Sequence, residues 1–257
     1  MAINNPTRTQ AERADLTRAR ILEAAVLQFS ENGLAGARTE VIAEAAGVNK
    51  ALLYYYFQGK DALYAAALES VAKGVRDASL AVFDVDASAG ERFLLSTLSH
   101  FDRIYTNPGF QSLMQQEMMR LHRGEANGLT PLVETVFKPL MARMAQVLNE
   151  GIASGELISV DPSQMRLAAM GANVFYFVSS PFMRLIEGTD PLERGALEAR
   201  RKSAIEYLGQ TIFVDREHGA RVAARVLAAS PMPEGSGILS HFMKKCHVIK
   251  PEKTRNL

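Results

Sequence analysis

Apolar residues recur with a helical period along most of this chain, and two short runs near the start are bounded by capping residues. Between Ala14 and Asn32, Ile21, Leu22, Ala25, Val26 and Phe29 fall on one face, and Gly33 stands just past the end. That pattern predicts an amphipathic helix closed by a left-handed residue. Thr39 then reads as an N-cap, Ile42, Ala43 and Ala46 follow at helical spacing, and Gly47 stops the run. Asn49 can cap a second short helix, in which Leu53 and Phe57 lie four residues apart and can pack against Ile42 and Val48. Helices of about two turns do not persist alone in water, so the preceding helix is expected to complete a three-helix head.

Downstream, the same periodicity predicts helices at Lys60–Phe83, Glu91–Tyr105, Phe110–His122, Leu132–Ser154, Pro162–Ile186 and Pro191–Val214. Breaks fall at Asp84 to Gly90, Asn107-Pro108-Gly109, Gly124 to Pro131, Gly155 to Pro162 and Gly188 to Pro191. Asp161-Pro162 and Asp190-Pro191 each place a capping residue before a first-turn proline. Residues 216–229 add a short amphipathic helix through Val222, Val226 and Leu227, and Ser230 to Gly237 reads as a linker. No strand period and no internal repeat appears, so the expected fold class is all-α. The expected division is an N-terminal arm and head over 1–60, a helical body over 61–229, and a linker with a disordered basic tail over 230–257.

Leu167 to Met183 carries no charge for 17 residues and sits between Arg166 and Arg184. That length is borderline for a membrane span. Asn173, Ser179, Ser180 and Pro181 weaken a spanning reading, and a helix buried on nearly all sides within a large interface is expected instead. With Pro191–Val214 it forms the predicted dimerisation pair.

Composition refines this picture. A chain of 257 residues with 47% hydrophobic content accommodates a small head and a larger body. Net charge is only +1, and residues 1–60 hold seven Lys/Arg against six Asp/Glu, so any positive surface is local. Arg8, Arg13, Arg18 and Arg20 cluster against Glu12 and Asp15 near the start; a basic arm reaching a DNA groove and a solvated terminus are the two readings. The lone Cys246 excludes an intramolecular disulfide framework, and the polar start lacks the apolar core of a signal peptide, so a cytoplasmic protein is expected.

The outer face of the second short helix carries Asn49, Lys50, Ala51, Tyr54, Tyr55 and Tyr56, with Lys60 just beyond. Lysine supplies charge for phosphates, and tyrosine hydroxyls bond phosphate oxygens while their rings lie on sugars or thymine methyls. Base readout falls to the first turn, Asn49, Lys50 and Ala51, because recognition helices touch base edges with their N-terminal residues. The competing reading makes Tyr-Tyr-Tyr-Phe an aromatic core face. Three consecutive residues fan over about 200° of a helix, however, so at least one, Tyr55 first, must be exposed.

From about Arg20 to Leu68 the chain shows the pattern T-x-x-I-A-x-x-A-G-V-x-K-x-x-L-Y-x-Y-F-x-x-K-x-x-L. This run resembles the DNA-binding domain of the tetracycline-repressor (TetR) family. The resemblance implies DNA contacts from Arg38, Thr39, Lys50, Tyr54, Tyr55, Tyr56 and Lys60, and a helix starting near Lys60 that leads into a ligand-binding domain. It also implies a homodimer joined by a four-helix bundle of the last two long helices, and repression of a double-stranded DNA operator relieved by a small-molecule effector. Ala51-Leu52 departs from the small residue pair often found there, which bears on operator identity.

A two-fold dimer presents two heads, so the expected operator is a pseudo-palindrome. Lining candidates for an apolar or aromatic effector are Phe101, Tyr105, Phe110, Met114, Met118, Phe137, Met141, Met144, Asn173, Phe175 and Phe177, with plain core packing as the competing reading. His100, Arg103, Gln115 and Glu117 are the nearby polar groups. No G-x-S-x-G elbow, P-loop, dinucleotide glycine pattern or H-E-x-x-H pair occurs, which leaves a helical hydrolase or interaction protein as the alternative class. His241, Cys246 and His247 match no closed zinc spacing, and neither a cofactor nor a metal is expected.

Overall fold

In a computed structural model, residues 9–125 and 128–235 are described, and the basic tail with His241, Cys246 and His247 lies outside them, as do Arg8 and the residues before it. The helices run in the order α1 (Gln10–Gly36), α2 (Thr39–Ala45), α3 (Lys50–Tyr56), α4 (Lys60–Phe83), α5 (Ala89–Thr106), α6 (Pro108–His122), α7 (Leu129–Leu132), α8 (Lys138–Ala153), α9 (Pro162–Glu187), α10 (Arg194–Thr211) and α11 (Arg216–Ala229). Among the described residues the β-type pairing is one isolated bridge, Leu157 with Phe213. No described helix is long and apolar enough to cross a membrane.

Two compact units result. The first comprises Met1–Gly74 and Gly109–Val133, the second Val75–Pro108 and Glu134–Leu257. The first half of α4 and most of α6 group with the head helices in the first unit. In this unit Ile21, Ala25, Phe29, Ile42, Leu53, Leu63, Leu68 and Leu113 are fully buried. Phe29 meets Tyr64 edge to face, with ring centroids 4.9 Å apart. α6 is fastened to α1 through Ser112, whose Oγ donates to the Ser30 carbonyl at 2.7 Å, and Gln116, whose Nε2 donates to the same oxygen at 3.1 Å. Glu117 is 0% exposed, and its carboxylate accepts from Tyr64 Oη at 2.8 Å, Gly128 N at 2.6 Å and Arg120 Nη1 at 2.8 Å.

α5 is the axis of the second unit, burying Phe93, Leu94, Leu98 and Phe101 among α8, α9, α10 and α11. Asp102 on α5 receives Arg201 of α10 side-on, Nε to Oδ1 at 2.7 Å and Nη2 to Oδ2 at 2.8 Å. Arg201 Nη2 also donates to the Ser230 carbonyl at 2.8 Å, anchoring the chain beyond α11. α10 and α11 cross at glycines. A Cβ on Gly219 would lie 1.9 Å from the Gly209 carbonyl oxygen, closer than any real contact.

Several predicted boundaries shift for identifiable reasons. α1 begins earlier than expected because Thr9 and Glu12 form a reciprocal capping box, and Gly33 breaks it at φ 66°, ψ 175°. The predicted Leu132–Ser154 helix is interrupted by a π-helical turn at Val133–Phe137. Pro139 has no N–H to offer the Thr135 carbonyl, which instead accepts from Arg76 Nη1 at 3.3 Å. Pro181 inside α9 frees the Phe177 carbonyl in the same way, and the Ser180 hydroxyl takes it at 2.9 Å, so the helix continues. Asp190-Pro191 does not open α10; Asp190 Oδ1 accepts from Leu192 N at 3.0 Å in a separate turn, and the helix starts three residues later at Arg194. Asp161 does cap α9, accepting from Ser163 N and Gln164 N.

The glycine crossing gives a direct stability test. Gly219→Ala should destabilise the protein by about 2–3 kcal/mol through overpacking, lowering the urea midpoint. Gly195→Ala, whose new Cβ meets nothing within 4 Å, should leave the midpoint unchanged or slightly higher.

Candidate nucleic-acid interface and effector region

The α2–α3 turn is built by local hydrogen bonding. Gly47 adopts φ +65°, Val48 N donates to the Ala43 carbonyl at 2.9 Å, and Gly47 N donates to the Glu44 carbonyl at 3.0 Å. These two bonds form a Schellman closure, in which a left-handed glycine satisfies the last carbonyls of a helix. Two residues on, Asn49 Oδ1 accepts from Leu52 N at 2.7 Å and starts α3. Leu53 and Phe57 turn inward, and Arg18 lies over the Phe57 ring at 5.2 Å.

The opposite face of α3 meets solvent. Tyr55 is 80% exposed, Tyr54 is partly exposed, and Tyr56 is intermediate with its ring edge-on to Tyr55 at 5.5 Å. Arg38, Asn49, Lys50 and Ala51 are exposed as well. Thr39 departs from expectation. It lies in the first turn of α2 behind Arg38, its side chain is buried, and its hydroxyl faces Tyr54 Oη at 3.2 Å instead of capping a backbone N–H. That contact orients Tyr54 and leaves Thr39 little surface of its own.

The two lysines are already engaged. Lys50 Nζ pairs with Glu40 at 2.5 Å and stands 5.7 Å from the Tyr54 ring centroid, while Lys60 Nζ donates to the Ala35 carbonyl at 3.0 Å beyond the Gly33 break. The hydrogen bond to Lys50 holds the Glu40 carboxyl below its usual range, and Glu40 in turn raises the Lys50 ammonium. Sequence periodicity gave no sign of this pair, because Glu40 and Lys50 sit on different helices.

The effector candidates do not form one set. Phe110, Met114 and Met118 fall in the first unit; Phe101, Tyr105, Phe137, Met141, Met144, Asn173, Phe175 and Phe177 fall in the second. Met118 is 57% exposed because the Glu117 face of α6 turns inward and its neighbours turn out, and Phe175 is also exposed. Phe101, Tyr105 and Phe177 do come together, with Leu197, Tyr176, Leu192 and Met232 around them. Phe101 lies 5.0 Å from Phe177 and 6.0 Å from Tyr176 between ring centroids. Buried Asn173 donates to the Thr97 carbonyl at 3.0 Å and faces His100 Nδ1 at 3.4 Å. Burial, with the Arg103 charge second, pushes the His100 imidazolium down to about 4. Among the described residues no cluster of metal-ligating side chains occurs.

Residues 21–67 match the family described as bacterial regulatory proteins, tetR family, and residues 96–208 match the tetracyclin repressor-like C-terminal domain. The chain is 29% identical over 175 residues to the HTH-type transcriptional repressor NicS of Pseudomonas putida, spanning 68% of this chain and 81% of that one. It is 28% identical over 176 residues to the HTH-type transcriptional regulator RutR of Escherichia coli, spanning 65% and 77%. Its fold is similar to that of the transcriptional regulator FadR from Bacillus subtilis, solved in complex with stearoyl-CoA, with TM-score 0.57, 22% identity and coverage of 74% and 96%.

Glu40→Gln should tighten DNA binding by about two- to fivefold at low salt, the range an exposed ion pair and one fewer negative charge allow. Fluorescence anisotropy with labelled duplex checks this; affinity unchanged or weakened would mean that Glu40 does not compete with DNA for Lys50.

Proposed function

The chain belongs to the TetR family of bacterial transcriptional regulators, whose members bind DNA operators and small-molecule effectors, and from that premise we propose how this protein divides the work. The observation that carries the reading is the solvent face of α3, with Tyr55 outermost and Asn49, Lys50 and Ala51 on the first turn behind a capped, glycine-closed corner. Lys50, released from Glu40, and Asn49, whose amide N–H groups remain after its oxygen caps Leu52, read bases in the major groove. Tyr54, Tyr55, Tyr56 and Arg38 contact the phosphodiester backbone. Thr39 acts through Tyr54, and Lys60 acts by closing the end of α1.

One head of nearly neutral charge offers few contacts, so useful affinity requires two heads on a pseudo-palindromic operator. The dimer is proposed to form through α9 and α10. On α9, Leu167, Phe175, Val178, Phe182, Leu185 and Ile186 are all exposed in a single chain, and Tyr207 on α10 joins them. Apolar stripes of this length mark association surfaces. Effector binding in the α5–α9–α10 region, around Phe101, Tyr105, Asn173 and Phe177, favours a conformation with mismatched heads and so releases the operator. That FadR was solved with stearoyl-CoA supports a largely apolar effector. The proposed role is that of a cytoplasmic repressor without enzymatic activity.

Lys50→Ala should weaken binding to the DNA upstream of its own gene by about tenfold, and Tyr55→Ala by about threefold, since a base-edge contact outweighs a single phosphate contact. Both variants should elute as dimers in size-exclusion chromatography with light scattering. Wild-type affinity in both variants would remove the proposed reading surface, and a monomer at micromolar concentration would remove the proposed dimer.

A further inference from the structure

Four arginines in the described residues bury an Nε that has no hydrogen-bond partner: Arg92, Arg103, Arg166 and Arg200. Of these only Arg92 has a carboxylate partner among the described residues, and the other three meet neutral groups. Arg92 reaches Glu150 through Nη2 at 2.5 Å, Arg200 lies over the Tyr176 ring at 5.6 Å and donates to the Ala172 carbonyl, and Arg166 contacts the Met141 sulfur. Arg103 Nη1 donates to Ser99 Oγ, one turn back on α5. The adjacent Asp102 acts on Arg103 through its charge alone, both its oxygens being bonded to Arg201.

The edge left over on Arg103 is the one formed by Nε and Nη2. Arg201 shows in the same unit what that edge accepts: a carboxylate, side-on, through two parallel bonds of 2.7 and 2.8 Å. Burial pulls the Arg103 guanidinium down to about 10, and the Asp102 charge opposes this only in part. A half-buried guanidinium with no hydrogen-bonded carboxylate among the described residues points to a partner that arrives from outside. The surroundings suit the same partner. His100 stands one turn before Arg103, and its imidazole is neutral at pH 7 because burial opposes its charge. Asn173 donates toward its Nδ1, which leaves Nε2 with the proton as a second, uncharged donor.

We infer that Arg103, with His100 beside it, binds the carboxylate of the effector, which is therefore an apolar or aromatic acid and not a neutral hydrophobe. This rests on the effector-released repressor reading above and names the chemical class it left open. A carboxylate matches the planar Nε/Nη2 edge in two bonds, and its charge neutralises a guanidinium that has no hydrogen-bonded carboxylate among the described residues. In the ligand-free protein Arg103 is then a cost to stability retained for binding.

The test uses the full chain with matched probes: phenylacetate and phenylacetamide, 4-phenylbutanoate and 4-phenylbutan-1-ol, decanoate and decan-1-ol. By titration calorimetry at least one acid should bind at least about tenfold more tightly than its neutral counterpart, the gap a charge-assisted bidentate pair supports. Arg103→Met should abolish that gap while keeping the neutral probe's affinity, and should raise the ligand-free Tm by about 2–4 °C. Arg103→Lys should retain part of the preference. The absence of an acid preference in every pair, an Arg103→Met protein that still prefers the acid, or one that melts lower or fails to fold would each overturn the inference. Operator release by neutral compounds alone, from a library holding both classes, overturns the carboxylate site and keeps the effector reading; release by no member overturns both.

Discussion

The carboxylate of Glu117 lies wholly out of solvent, and a charge in that position persists only when its oxygens are bonded. Its three donors come from separate stretches of chain: the Tyr64 hydroxyl on α4, the Gly128 amide before α7, and Arg120 on its own helix. Satisfying one side chain thus fixes α4, α6 and the start of α7 together. Burial, and then Glu117 itself, raise the Tyr64 hydroxyl so that it stays a donor, and the Tyr64 ring in turn stands edge-on to Phe29 in the core of α1. The arrangement carries this constraint into the core on which α2 and α3 rest.

That support matters because neither α2 nor α3 is longer than seven residues. Helices so short draw their stability from packing and end-capping, not from their own ladders. The Gly47 closure and the Asn49 cap set the corner between them, while Ile42, Leu53 and Phe57 hold it to α1. With the inner face committed in this way, the tyrosines and Lys50 are left on the outer one. The glutamate at position 40 then moderates Lys50, so the proposed reading surface carries less free charge than its sequence implies.

The second unit relies on the same two devices, paired buried charge and close backbone approach. Arg201 joins α5, α10 and the chain after α11 through one guanidinium, and Gly209 and Gly219 let α10 and α11 cross without intervening side chains. Arg103 is one of four arginines whose buried Nε has no partner among the described residues, and the exposed apolar stripe of α9 is not covered by them. Pro181 and Pro139 in this unit are accommodated by groups that take the carbonyls they leave free, Ser180 of α9 and Arg76 of α4 respectively.

Features set by chemistry within a few residues were legible in the sequence: the Gly47 stop, the Asn49 cap, the Lys60–Phe83 helix, the Asp161 cap and the outward Tyr55. The Thr9-x-x-Glu12 box was written there too, although the apolar period alone does not reach it. Tertiary structure decided the rest, because each case turned on a partner far away in sequence or on another helix. Thr39 gave up its cap for Tyr54, Lys50 met Glu40, and Pro139 left a carbonyl to Arg76. α6 joined the head through Ser30 and Tyr64, which split the expected effector set between two units. Helical periodicity records which face turns inward but not which helix it meets. The chain alone therefore specified the α2–α3 corner, and only the folded structure showed which of the described charges are paired.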